Sequence, residues 1–191
     1  MKRILSIICF LLLFVSAYSQ NYSGHLKFMG IPINGTITQF QKKLISNGFS
    51  YNRTKSTTRP KGQRVFDGEI LGTDFVILVH FNTKTNIVYQ VEGITDYAHS
   101  EDESRRIYNE IKTYLSNKQY KPSESYKNGM PSVTFSAFKN LNLYNKNAKK
   151  TESLSKYYDG FIELFFDKYR YDEYNILINF VDFQNAEKNG F

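Results

Sequence analysis

The chain has 191 residues, a length at which one domain buries roughly 70% of its unfolded surface and holds together by its core. With 25 Lys and Arg against 18 Asp and Glu its net charge is +7, which favours weak attraction to anionic surfaces without naming one. A single cysteine excludes an internal disulfide framework, and the absence of Trp argues against a sugar-stacking platform.

Lys2 and Arg3 precede an apolar run from Ile4 to Val15, followed by Ser16-Ala17-Tyr18-Ser19. That is the charged, apolar and small-residue order of a secretory signal peptide. The run is shorter than the roughly twenty residues of a membrane-spanning helix, so cleavage before Gln20 is expected and no transmembrane segment remains afterwards. Residues 1–19 then leave, taking Cys9 with them, and 20–191 form a single exported domain in the periplasm or outside the cell.

In "LKFMGIPINGTITQFQKKL", Gly30 and Gly35 are followed by Thr36, which has most of the spacing of a phosphate-binding loop. Such a loop needs a lysine immediately before its hydroxyl residue, and Gly35 runs straight into Thr36. Pro32 also removes a backbone donor from the cradle. The stretch reads instead as a strand, a turn and a helix start. Thr36 and Gln39 form a capping box, Ile37, Phe40, Leu44 and Ile45 repeat on one helical face, and Gly48-Phe49 supply a Schellman stop.

Asn52 to Gln63 is polar and basic and reads as a loop. Three strands are expected next, over 65–71, 75–81 and 87–94, joined by "GTD" and "NTKTN" as an antiparallel meander. Phe66 and Ile70 share one face of the first. The second is apolar on both faces up to His80, the pattern of a central strand. In the third, Ile87, Tyr89 and Val91 oppose Gln90 and Glu92.

Ser100 and Glu103 form a second capping box, with Glu101 and Asp102 in the first turn, where the helix dipole favours acids. Ile107, Ile111, Tyr114 and Leu115 give that helix its buried stripe, and it stops before Pro122. Strands follow over 132–138, 159–166 and 174–183, the first two separated by the basic, Asn-rich run 139–156. "FDG" at Phe66-Asp67-Gly68 and "YDG" at Tyr158-Asp159-Gly160 each open a strand in this reading, pointing to duplicated halves over 26–96 and 97–183. The fold expected is α+β, an antiparallel sheet with two helices packed on one side.

The run "LKFMGIPINGTITQFQKKLISNGF" resembles the opening of small signal-peptide-bearing envelope proteins of Gram-negative bacteria, in which a strand ending in Gly-Ile-Pro leads into a Gly-Thr helix start. The resemblance implies location and fold but no reaction. The layout of helix plus strands, twice over, is similar in architecture to β-lactamase inhibitory proteins, and architecture does not carry function.

Asp96, His99 and Asp102 in "DYAHSEDE" offer two carboxylates and an imidazole of the kinds that hold divalent cations. Each already has a structural reason to be there, and neither a metal nor a cofactor is expected. No G-x-S-x-G elbow occurs, and no cysteine nucleophile survives cleavage. "KYRYDEY", with Tyr169, Arg170 and Tyr171, reads as the turn between the last two strands. Together with Lys146, Lys149 and Lys150 of the basic run it would offer a basic, aromatic contact surface. An exported chain rarely meets nucleic acid, so the expected partner is a protein or an anionic envelope polymer. The function expected is a non-catalytic binding module; the alternative is a small envelope-acting hydrolase working through unrecognised acidic residues.

Overall fold

The computed structural model describes residues 24–118, 120–127, 129–138 and 158–189. The expected signal peptide, Cys9, Lys146, Lys149 and Lys150 lie outside the described residues.

The chain opens with a hairpin of β1 (Lys27–Phe28) and β2 (Ile31–Pro32), turned at Met29 and Gly30, which have φ of 45° and 90°. Two positive φ values are what a tight hairpin turn demands, and this is the local reason for Gly30. Helix α1 (Ile37–Ser46) follows, with the Thr36–Gln39 capping box fully formed. Its end is the predicted Schellman stop: the Phe49 N–H donates to the Leu44 carbonyl at 3.1 Å and the Gly48 N–H to that of Ile45 at 3.2 Å. Then come β3 (Ser50–Tyr51), α2 (Arg53–Thr57), β4 (Gln63–Ile70), β5 (Thr73–Phe81) and β6 (Val88–Thr95). The second half holds α3 (Glu101–Ser116), β7 (Lys121–Lys127), β8 (Met130–Phe138), β9 (Tyr158–Arg170), β10 (Glu173–Asp182) and α4 (Phe183–Lys188).

The fold is α+β. An eight-stranded antiparallel sheet runs in the order β3-β4-β5-β6-β10-β9-β8-β7, and the two long helices α1 and α3 pack on one side of it. Each half is a helix followed by an antiparallel meander, and the halves meet where β6 pairs with β10. One line of register crosses seven strands on the helix side: Phe66, Ile77, Gly93, Ile178, Leu164, Val133 and Glu124. All of its apolar members belong to one buried cluster with Ile37, Phe40 and Leu44 of α1 and Ile107, Ile111 and Leu115 of α3.

Several expectations need correcting. Residues 53–57 of the expected loop form α2, because the Asn52 side chain accepts from the Lys55 N–H at 2.8 Å and caps it. Strand β7 was absent from the expected pattern: all its residues are exposed, so an edge strand of polar composition carries no alternation to read. In β6, His80 pairs with Gln90 but Phe81 with Val88, so Tyr89 is an extra residue. That bulge breaks the expected Ile87–Tyr89–Val91 face and buries Val88 with Val91 instead. "FDG" lies inside β4 and does not open it. The Ser100 box is half formed: Ser100 caps Glu103, while the Glu103 carboxylate turns to Arg106 at 2.6 Å. In the α3 stripe Tyr108 is buried and Tyr114 only half-buried.

Candidate functional site

Antiparallel pairing sets which turns share an end of the sheet. The β4–β5 turn at Leu71-Gly72, the β7–β8 turn beside Gly129, the β9–β10 turn at Tyr171-Asp172 and the exit from β6 all lie together. Leu71, Tyr97, Tyr126, Tyr169 and Tyr171 stand exposed at that end, Tyr126 by 80% and Tyr171 by 86%. Among the described residues, the other large exposed apolar side chains are Ile45 and Tyr51. Cations accompany the rings. The Arg170 guanidinium lies 5.1 Å from the Tyr169 ring, and the Lys168 ammonium lies 5.6 Å from Tyr171 and 5.9 Å from Tyr174. These are cation–π separations, so the flexible cations rest on the rings that flank them.

The tip residues expected from the sequence, Tyr169, Arg170 and Tyr171, are therefore at the hairpin as predicted, in company the sequence did not reveal. Leu71, Tyr97 and Tyr126 come from three other connections, and only pairing register brings them to the same end. The basic run 139–156 lies outside the described residues; Phe138 before it and Tyr158 after it are both at the opposite end of the sheet.

Asp96, His99 and Asp102 do not converge. His99 and Tyr174 exchange backbone hydrogen bonds at 2.8 Å in both directions, which ties the segment before α3 to β10. The His99 ring lies against Tyr97 at 5.2 Å, and its Nε2 is buried without a hydrogen-bond partner. Asp96 pairs with Lys55 at 3.2 Å, which also holds Asp67 at 3.1 Å, and Asp102 is exposed in the first turn of α3. The two acids hold the Lys55 ammonium above its usual pKa, the hydrogen bond to Asp67 first. Among the described residues no three His, Cys, Asp or Glu side chains stand together as metal ligands.

The sheet face away from α1 and α3 is unusually apolar for one that meets water. Expected alternation puts polar residues there. Instead a second register line reads Val76, Ile94, Leu177 and Phe165 across β5, β6, β10 and β9. All four side chains are half-buried, so what the sequence shows as a two-faced apolar β5 is a covered face plus this open strip. The next line carries Leu78, Glu92, Asn179, Glu163 and Thr134. Gln90 donates to Glu92 at 2.6 Å and to Asn179 at 3.0 Å, and Asn179 donates to Glu163 at 3.3 Å. His80 Nε2 is 3.4 Å from Glu92.

A cavity of about 170 Å³ opens between α3 and β7, lined by Arg105, Tyr108, Lys112, Glu124, Tyr126 and Phe166. Its cations are already matched, Arg105 by Glu101 at 2.5 Å and Lys112 by Glu124 at 2.6 Å. Burial, with the Glu124 charge second, pushes the Tyr108 hydroxyl up to about 12. The cavity is a packing gap at the helix edge with no unmatched charge to select a ligand.

No protein-family model, curated protein or solved structure matches the chain.

Proposed function

We propose that the chain is a non-catalytic binding module, exported to the periplasm or beyond the cell, that contacts a protein or an anionic envelope polymer through the tyrosine-rich end of its sheet. The observation that carries this reading is the gathering of Leu71, Tyr97, Tyr126, Tyr169 and Tyr171 at one end, beside Lys168 and Arg170. Tyrosine and arginine dominate the energetics of recognition surfaces, because each combines a large apolar body with polar groups at modest entropic cost. The signal-peptide pattern of the first nineteen residues supports export.

The test is a pull-down from envelope extract with the wild type and a Tyr169→Ala/Arg170→Ser/Tyr171→Ala variant. These side chains are exposed, so stability should stay within about 0.5 kcal/mol of wild type. The variant should lose the partner that the wild type recovers. Equal recovery by both proteins would refute the assignment.

A further inference from the structure

We propose that the sheet face away from α1 and α3 docks a protein partner by seating a basic side chain, flanked by apolar ones, between Glu92 and Glu163. This rests on the binding-module reading and narrows the partner to a protein.

Glu92 on β6 and Glu163 on β9 both pair with Asn179 on β10, one from each side. Neighbouring strands lie about 4.7–4.9 Å apart, so the two carboxylates rise from backbones roughly 10 Å apart with only an amide between them. A guanidinium lying over Asn179 is within reach of both. Neither acid is matched by Lys or Arg among the described residues: Glu163 receives the Asn179 amide, and Glu92 receives the Gln90 amide with His80 at 3.4 Å. This is notable in a chain whose basic residues outnumber its acidic ones and whose helix α3 matches Glu101, Glu103 and Glu110 with arginines.

The surroundings raise the value of a cation there. Leu78 continues the acidic line, Val76, Ile94, Leu177 and Phe165 run beside it, and Val181 and Phe161 flank it on the other side. An apolar partner surface closing on these side chains would strip water from the carboxylates, and an unmatched charge in such a place is costly. A basic group delivered by the same partner removes that cost, and arginine suits it because its planar fork meets two acceptors at once. An anionic polymer is repelled by the same two acids. The strip also runs to the tyrosine end, since Ile94 leads through Thr95 and Asp96 to Tyr97, and the Lys127 ammonium lies 3.9 Å from the Phe165 ring. One partner could therefore cover both regions.

The test selects a random dodecapeptide phage library on the immobilised exported chain and measures the best synthetic peptide by calorimetry. Enriched peptides should carry Arg or Lys between aliphatic or aromatic residues. Glu92→Gln/Glu163→Gln should weaken the peptide by roughly tenfold or more, the scale of losing one side of a desolvated charge pair. Asn179→Lys should abolish binding, because it sets the chain's own ammonium between the acids while leaving a folded protein, verified by its melting curve. Tyr169→Ala/Tyr171→Ala should leave the peptide's affinity unchanged, so this result is independent of the pull-down at the tip. Enrichment of acidic or uncharged peptides, no enrichment at all, or binding indifferent to both the double Gln variant and Asn179→Lys would overturn the proposal.

Discussion

Asp182 ties the first described residues to the last helix. Its carboxylate is wholly buried and accepts from the Leu26 N–H at 2.8 Å, from the Asn185 N–H at 2.9 Å and from His25 Nδ1 at 3.1 Å. It therefore caps α4 while holding the segment that leads into β1, and Asn185 beside it donates to the Ile33 and Val88 carbonyls at 3.0 and 2.8 Å. Nothing in "FVDFQN" announces this, because the partners lie far away in sequence and a lone Asp at a strand end reads as ordinary turn chemistry. Asp182→Ala would strand two buried N–H donors and remove the cap. The expected loss is roughly 2–4 kcal/mol in urea unfolding. A loss below about 0.5 kcal/mol, the size of an ordinary surface change, would mean that water or another acceptor replaces the carboxylate.

At the level of elements, helix boundaries were legible because they are fixed by neighbours in sequence. Thr36 with Gln39, Ser100, and Gly48 with Phe49 each mark an end that pairs within a few residues. Strands were legible where one face is buried and illegible where it is not, which is why β4, β5 and β10 were foreseen and the fully exposed β7 was missed. The shared Asp-Gly of "FDG" and "YDG" has separate packing causes in the two places. A Cβ on Gly68 would run into the Phe49 ring, whereas one on Gly160 would run into the Val181 carbonyl of the neighbouring strand. A ring can turn, but a paired backbone cannot retreat without losing its ladder. Gly160→Ala should accordingly cost more than about 2 kcal/mol, in the upper range of overpacking, with the β9–β10 amides losing hydrogen-exchange protection. Unchanged exchange and stability would show that β9 has slack at this point.

For the whole molecule, the two helix-plus-meander halves joined at β6 and β10 were readable as an order of elements, yet the surface they create was not. Sequence placed Tyr169, Arg170 and Tyr171 at a hairpin tip correctly, since a turn is local. It could not bring Leu71, Tyr97 and Tyr126 to the same end, nor set Glu92 and Glu163 either side of Asn179, because those neighbourhoods depend on strand order across residues 63–182. Polarity has the same limit: the sequence of β5 is apolar on both faces, and only the sheet order shows that one of those faces is open. Partners are expected at this end and on the apolar sheet face that adjoins it, not on the side that carries α1. The most direct measurement replaces single exposed residues by the photo-crosslinking amino acid p-benzoylphenylalanine and irradiates the exported protein in envelope extract. Positions Tyr171 and Tyr126 should yield the same higher-mass adduct, and positions Tyr51 and Ile45, exposed to a lesser degree and on the α1 side, should yield none. Adducts of equal yield at all four positions, or adducts confined to Tyr51 and Ile45, would contradict it.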